Sequence, residues 1–76
     1  MNNLMLRQVE DTLNKMSVTF QFECLWEADG SCSITLSNHL LAIPRTTVAG
    51  ISQRELENEA STQRLGLELM DKVLVD

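Results

Sequence analysis

No run of apolar residues in this sequence approaches the roughly 18 that a membrane span requires, so no membrane-crossing helix is expected. Cations are scarce and scattered: Arg7, Lys15, Arg45, Arg54, Arg64 and Lys72 are the 6 basic residues against 11 acidic ones, leaving a net charge of −5. Nucleic-acid binding draws its affinity from clustered cations that displace counterions from phosphates, and anionic membranes select for the same feature. Direct nucleic-acid and membrane partners are therefore not expected. Met1 to Leu6 carries neither a basic leader nor an apolar stretch of about 7–15 residues, so no secretory signal is expected and a cytoplasmic location follows by default.

Motifs that carry chemistry are also missing. The chain has no P-loop, no dinucleotide-binding glycine run, no zinc-protease helix and no nucleophile elbow. Its 1 histidine, His39, falls in an expected loop far in sequence from both cysteines, Cys24 and Cys32. A zinc site needs about four ligands at paired spacings, so no metal and no cofactor are expected. The chain is expected to be no enzyme. Linkers, internal repeats and low-complexity tracts are absent too, and residues 1–76 read as one domain. A core of this size rarely supplies more than roughly 3–5 kcal/mol, which makes a homodimer an early expectation.

What is present is a change of hydrophobic period. Leu6, Val9, Leu13 and Met16 form a helical stripe over residues 3–16, with Asn3 as its cap. From Ser17 the period becomes two: Val18, Phe20, Phe22, Cys24 and Trp26 alternate with polar residues, and Cys32, Ile34 and Leu36 continue the pattern after Gly30. Both apolar sets occupy even positions and must share one face, so directly paired residues have even sums. This requires a three-residue loop, Ala28-Asp29-Gly30, with Gly30 left-handed. Trp26 then faces Cys32, Cys24 faces Ile34, and Phe22 faces Leu36. In that register the cysteines are diagonal neighbours about 7–8 Å apart, too far for a relaxed disulfide, and are read as free, inward-facing thiols.

Asn38-His39 turns the chain into a third strand over Leu40 to Ala49, with Arg45-Thr46-Thr47-Val48 its firmer portion; Pro44 cannot donate to a ladder, so it confines the strand to an edge and either starts its paired part or sits at a bulge. Gly50 is expected to end the sheet. The second helix starts either at Ser52, through a Ser52–Glu55 capping box, or at Asn58. Leu56, Ala60, Gln63, Leu67, Met70 and Leu74 form its stripe, with Leu65, Leu69 and Val73 widening it, while Gly66 weakens it by roughly 1 kcal/mol relative to alanine. The expected fold is α+β in the order α-β-β-β-α, a three-stranded antiparallel meander with two helices packed on one face.

Two surfaces stand out. The apolar stretch Leu40, Leu41, Ala42 and Ile43 cannot all point inward, so it either pairs edge to edge with a second copy or is covered by the C-terminal helix. Glu55, Glu57 and Glu59, joined by Glu10, Asp11, Glu68, Asp71 and Asp76, present carboxylates to a basic surface or serve as ordinary solubility charge.

The opening helix with Leu6 and Val9, the hairpin Cys24 to Leu36 with its Ala28-Asp29-Gly30-Ser31 turn, and the passage Val48-Ala49-Gly50-Ile51-Ser52 before a Leu-rich helix resemble a family of short uncharacterised proteins. These come mostly from Pseudomonas and are catalogued as a domain of unknown function. The chain departs from that pattern in its apolar Asn38 to Pro44 stretch and in Asn58, where a serine is expected. The resemblance implies a bacterial cytoplasmic protein and carries over no catalytic residue. The leading expectation is a protein-interaction or regulatory module, homodimeric through Leu40, Leu41 and Ile43. The alternative is an acidic inhibitor or nucleic-acid mimic, for example a phage-encoded anti-CRISPR, acting through Glu55, Glu57 and Glu59. A thiol-redox protein resting on Cys24 and Cys32 is the third.

Overall fold

Helix, hairpin, third strand and helix follow one another as α1 (Asn3–Asn14), β1 (Phe20–Trp26), β2 (Cys32–Asn38), β3 (Thr46–Ile51) and α2 (Glu59–Val75), with a 3-10 turn at Gln53–Leu56. The computed structural model describes residues 3–41 and 43–75. The fold is α+β, an antiparallel meander in the strand order β1-β2-β3. α1 packs along β1 and α2 packs against α1. Val9 and Leu13 of α1, Phe20, Phe22, Cys24, Cys32, Ile34 and Leu36 of the hairpin, and Leu65 and Leu69 of α2 are all buried in one core. Asn3, the expected cap, already lies within α1, and its side chain is outside the described set.

The hairpin register matches the parity argument: Trp26 pairs with Cys32, Cys24 with Ile34 and Phe22 with Leu36. Its loop closes through Glu27 N to Ser31 O at 2.8 Å, and Gly30 takes a φ of 88°, a backbone region that costs glycine nothing. The Ser31 hydroxyl and amide both donate to Asp29 Oδ1, which holds the Asp29 carboxyl below its ordinary pKa. β1 begins two residues later than its alternation suggests. Val18 lies outside the strand and is 93% exposed, because Ser17 Oγ accepts from the amides of Thr19 and Phe20 and turns the connector there.

β3 departs further from its expected bounds. It starts only after Pro44 and runs through Gly50 to Ile51, so the stretch Leu40 to Arg45 is a connection rather than strand, with Ala42 outside the described residues. Asn38 explains the exit from β2: its Oδ1 accepts from the amides of Leu40 and Leu41, both at 2.9 Å, which folds the chain back on itself. Gly50 does not end the sheet. The register passes from Ile34↔Val48 to Cys32↔Ile51, so Ala49 and Gly50 together oppose Ser33 in a bulge, and Gly50 adopts a φ of 75°. The extra residue shifts the phase, which lets odd-numbered Ile51 join even-numbered Val48 on the core side.

The Ser52–Glu55 box opens no α-helix. Ser52 Oγ accepts from the Arg54 amide, the Glu55 amide bonds the Ser52 carbonyl, and the turn closes after Leu56 has reached the core. α2 starts instead behind Asn58, whose Oδ1 accepts from the Ser61 amide at 2.8 Å. Asn58→Ala is expected to cost about 1 kcal/mol by thermal melting, as the loss of an N-cap does, and Ser52→Ala less, since its turn spans only 4 residues.

The inward stripe of α2 is not Ala60, Gln63, Leu67 and Leu74, all of which are exposed; it is Thr62, Leu65, Gly66 and Leu69, with Val73 half-buried. Gly66 selects this face. A Cβ there would lie 2.7 Å from Leu13 Cδ2 and 2.8 Å from Met16 Sδ, so α1 crosses α2 where only a hydrogen fits. Thr62, 2% exposed, is satisfied by donating its hydroxyl to the Asn58 carbonyl at 3.0 Å.

Candidate functional site

A three-stranded sheet leaves two edges, β1 and β3, and each presents backbone groups that must find water, a side chain or a partner. Along β1 the amides of Phe22 and Cys24 point away from β2. α1 meets them with side chains one helical turn apart. Asn14 Oδ1 accepts from the Phe22 amide at 2.9 Å while its Nδ2 donates to the Phe22 carbonyl at 3.3 Å, and Glu10 Oε2 accepts from the Cys24 amide at 2.7 Å. Ser17 Oγ takes the Phe20 amide at 3.3 Å. α1 thus stands in for a fourth strand and closes this edge.

β3 has no such cover. Thr46 and Val48 pair with Leu36 and Ile34, so strand alternation turns the backbone groups of Thr47 and Ala49 outward. Among the described residues no side chain takes them up. Beside this open edge runs a groove between β3 and α2. Its first part, about 440 Å³, is lined by Ile43, Pro44, Thr46, Val48, Leu69, Lys72 and Val73. Its continuation passes Ile51, Glu55, Leu65, Glu68 and Asp71, sharing Val48, Leu69 and Lys72 with the first. The apolar floor and charged rim thus extend along the whole of β3.

The residues singled out in the sequence are scattered relative to this edge. Ile43 lines the groove and packs against the core, whereas Leu40 and Leu41 are exposed in the connection before it, at 70% and 47%. Thr19 accepts from Asn38 Nδ2 at 3.1 Å and from the His39 amide at 3.4 Å, which ties the end of β2 to the connector before β1. Glu55 sits at the far end of the groove with Glu68 and Asp71, while Glu57 and Glu59 flank a different hollow beside Met5, Gln8 and Thr12 of α1. Glu10 is engaged with β1, and Asp76 lies outside the described residues. The carboxylates therefore do not converge on one patch. Sequence reasoning missed Glu10 and Asn14 as edge caps and Thr47 and Ala49 as the open edge. The available signal was the four-residue spacing of two polar groups flanking an apolar stripe.

Cys24 and Cys32 are free and buried on adjoining inward positions. The neighbouring Cys32 side chain, together with burial, pushes the Cys24 thiol far above its ordinary range, and Cys32 Sγ donates to the Ser33 carbonyl oxygen at 3.5 Å. A protonated, enclosed thiol such as that of Cys24 is a poor nucleophile. His39 is exposed, and among the described residues no group of three or more His, Cys, Asp or Glu side chains is placed to hold a metal ion. No described helix is long and apolar enough to cross a membrane. No family model, no curated relative and no solved structure matches the chain.

Proposed function

We propose that this chain is a non-enzymatic protein-interaction module of a bacterial cytoplasm and that β3 is its working surface. The supporting observation is the contrast between the edges: α1 closes β1 with Glu10 and Asn14, while the same sheet leaves Thr47 and Ala49 open beside an apolar groove. Strand addition to such an edge draws its affinity from backbone hydrogen bonds and its selectivity from the neighbouring pocket. An extended partner segment of about six residues spans a strand of this length.

Amide hydrogen exchange tests the reading directly. In the free monomer, Thr47 and Ala49 are expected to exchange about tenfold or more faster than Phe22 and Cys24, although all four face outward, because only the latter pair has protein acceptors. Engagement of a partner protects Thr47 and Ala49. Slow exchange at both positions in a demonstrably monomeric chain would show the edge to be closed and remove the proposal.

A further inference from the structure

We infer that the segment received by β3 is the β3 strand of a second copy of this chain, an inference that rests on the reading of this edge as the working surface. Two antiparallel copies related by a two-fold axis at Val48 place Thr47 of one opposite the partner's Ala49, and the reverse, so that both outward backbone pairs are satisfied at once. The two three-stranded sheets become one continuous sheet.

Charge decides between a second copy and an unrelated strand. α2 runs antiparallel to β3, since Leu65 lies at the Ile51 end of the groove and Val73 at the Pro44 end. The α2 flank bordering the groove carries Glu68, Asp71 and Lys72; Glu68 and Lys72 stand one turn apart, and none of the three enters an ion pair among the described residues. Val48 lies level with Leu69 and Lys72, which line the groove with it. An axis through Val48 therefore brings two antiparallel α2 helices side by side, with Glu68 of each facing the partner's Lys72. The arrangement makes two opposite-charge pairs, Glu68 with the partner's Lys72 and the reverse, which offset the Asp71 carboxylate that each copy carries on the same flank and the Glu55 carboxylate at the end of the groove. Arg54 and Arg64 stand on the far side of Glu55 and Glu68 and temper the acidity of that end, which further weakens the case for a strongly basic partner. Val48 and Leu69, which form the groove floor, come under cover in the same arrangement.

Sedimentation of the full chain over a concentration series from low micromolar to millimolar, with circular dichroism to confirm folding, tests the inference. The wild type is expected to pass reversibly from monomer to dimer. Thr47→Pro removes an outward amide and the exposed 2.8 Å bond between the Thr47 and Thr35 hydroxyls, but no backbone bond to β2, and is expected to leave a folded monomer. Lys72→Glu and Glu68→Lys, both on an exposed helix flank, are each expected to weaken the dimer about tenfold or more. The double variant K72E/E68K is expected to restore it to within about threefold of wild type, because the swap regenerates both pairs. A wild type that stays monomeric, a dimer indifferent to Thr47→Pro, or a charge swap that fails to rescue overturns the second copy. A monomer whose Thr47 and Ala49 amides exchange rapidly leaves the open-edge reading standing, whereas a monomer in which they are protected sinks both.

Discussion

Gly66→Ala is expected to destabilise the fold by up to about 2 kcal/mol, although alanine is worth about 1 kcal/mol more than glycine inside a helix. The added Cβ would stand 2.7 Å from Leu13 Cδ2, and Leu13 is 0% exposed, so it has no free space to turn into. Met16, whose Sδ lies 2.8 Å away, is half-buried and long enough to move aside. Leu13 therefore sets the penalty. Overpacking a closed core costs about 1–3 kcal/mol, and with Leu13 unable to turn aside this outweighs the propensity gain. Urea titration is the measurement: the midpoint should fall while the slope stays constant. Pairing Gly66→Ala with Leu13→Ala is expected to cost less than the sum of the two single losses, since the two changes share one space. A midpoint raised by Gly66→Ala alone would mean that α1 is free to withdraw and that the helix contact is loose.

Ile34→Ala is expected to destabilise the fold by about 2–5 kcal/mol. Ile34 occupies the central strand between Cys24 and Val48 and is 0% exposed. Truncation removes buried methyl groups and leaves a void that neighbours on three strands fill only in part. A domain of this size holds roughly 3–5 kcal/mol in total, so the variant should be largely unfolded near room temperature or melt far below the wild type. Leu25, on the opposite face of β1 and 61% exposed, gives the control. Leu25→Ala is expected to stay within about 0.5 kcal/mol of wild type. Equal losses at both positions would contradict a one-sided core.

A dimer built through β3 would bear on these values as well as on function. Mass action stabilises any folded state that associates, so melting measured above the dissociation constant would rise with protein concentration. The Glu23–Arg45 contact on the outer face, 3.1 Å long with both side chains about two-thirds exposed, adds little by comparison.

Much of this architecture was legible in the residues themselves. Alternation from Phe20 to Leu36 determined the hairpin, its inward face and, through parity, the register and the three-residue loop. The turn chemistry of Asn38 and the cap at Asn58 were visible as residue types, because a short polar side chain meets neighbouring amides locally. Local interactions need no knowledge of the rest of the fold.

What tertiary structure alone decided concerns choices between equivalent local patterns. α2 carries two apolar stripes at helical spacing, and only the approach of Leu13 to Gly66 selects the one that is buried, leaving Leu67 and Leu74 exposed. The Gly50 bulge shifted β3 by one residue and brought Ile51 inward, because continuing the ladder to Cys32 required an extra residue there. The closing of one edge by Glu10 and Asn14, and the openness of the other, depends on where α1 lies in space. Period is a property of the chain, whereas occupancy of a sheet edge is a property of the packed molecule.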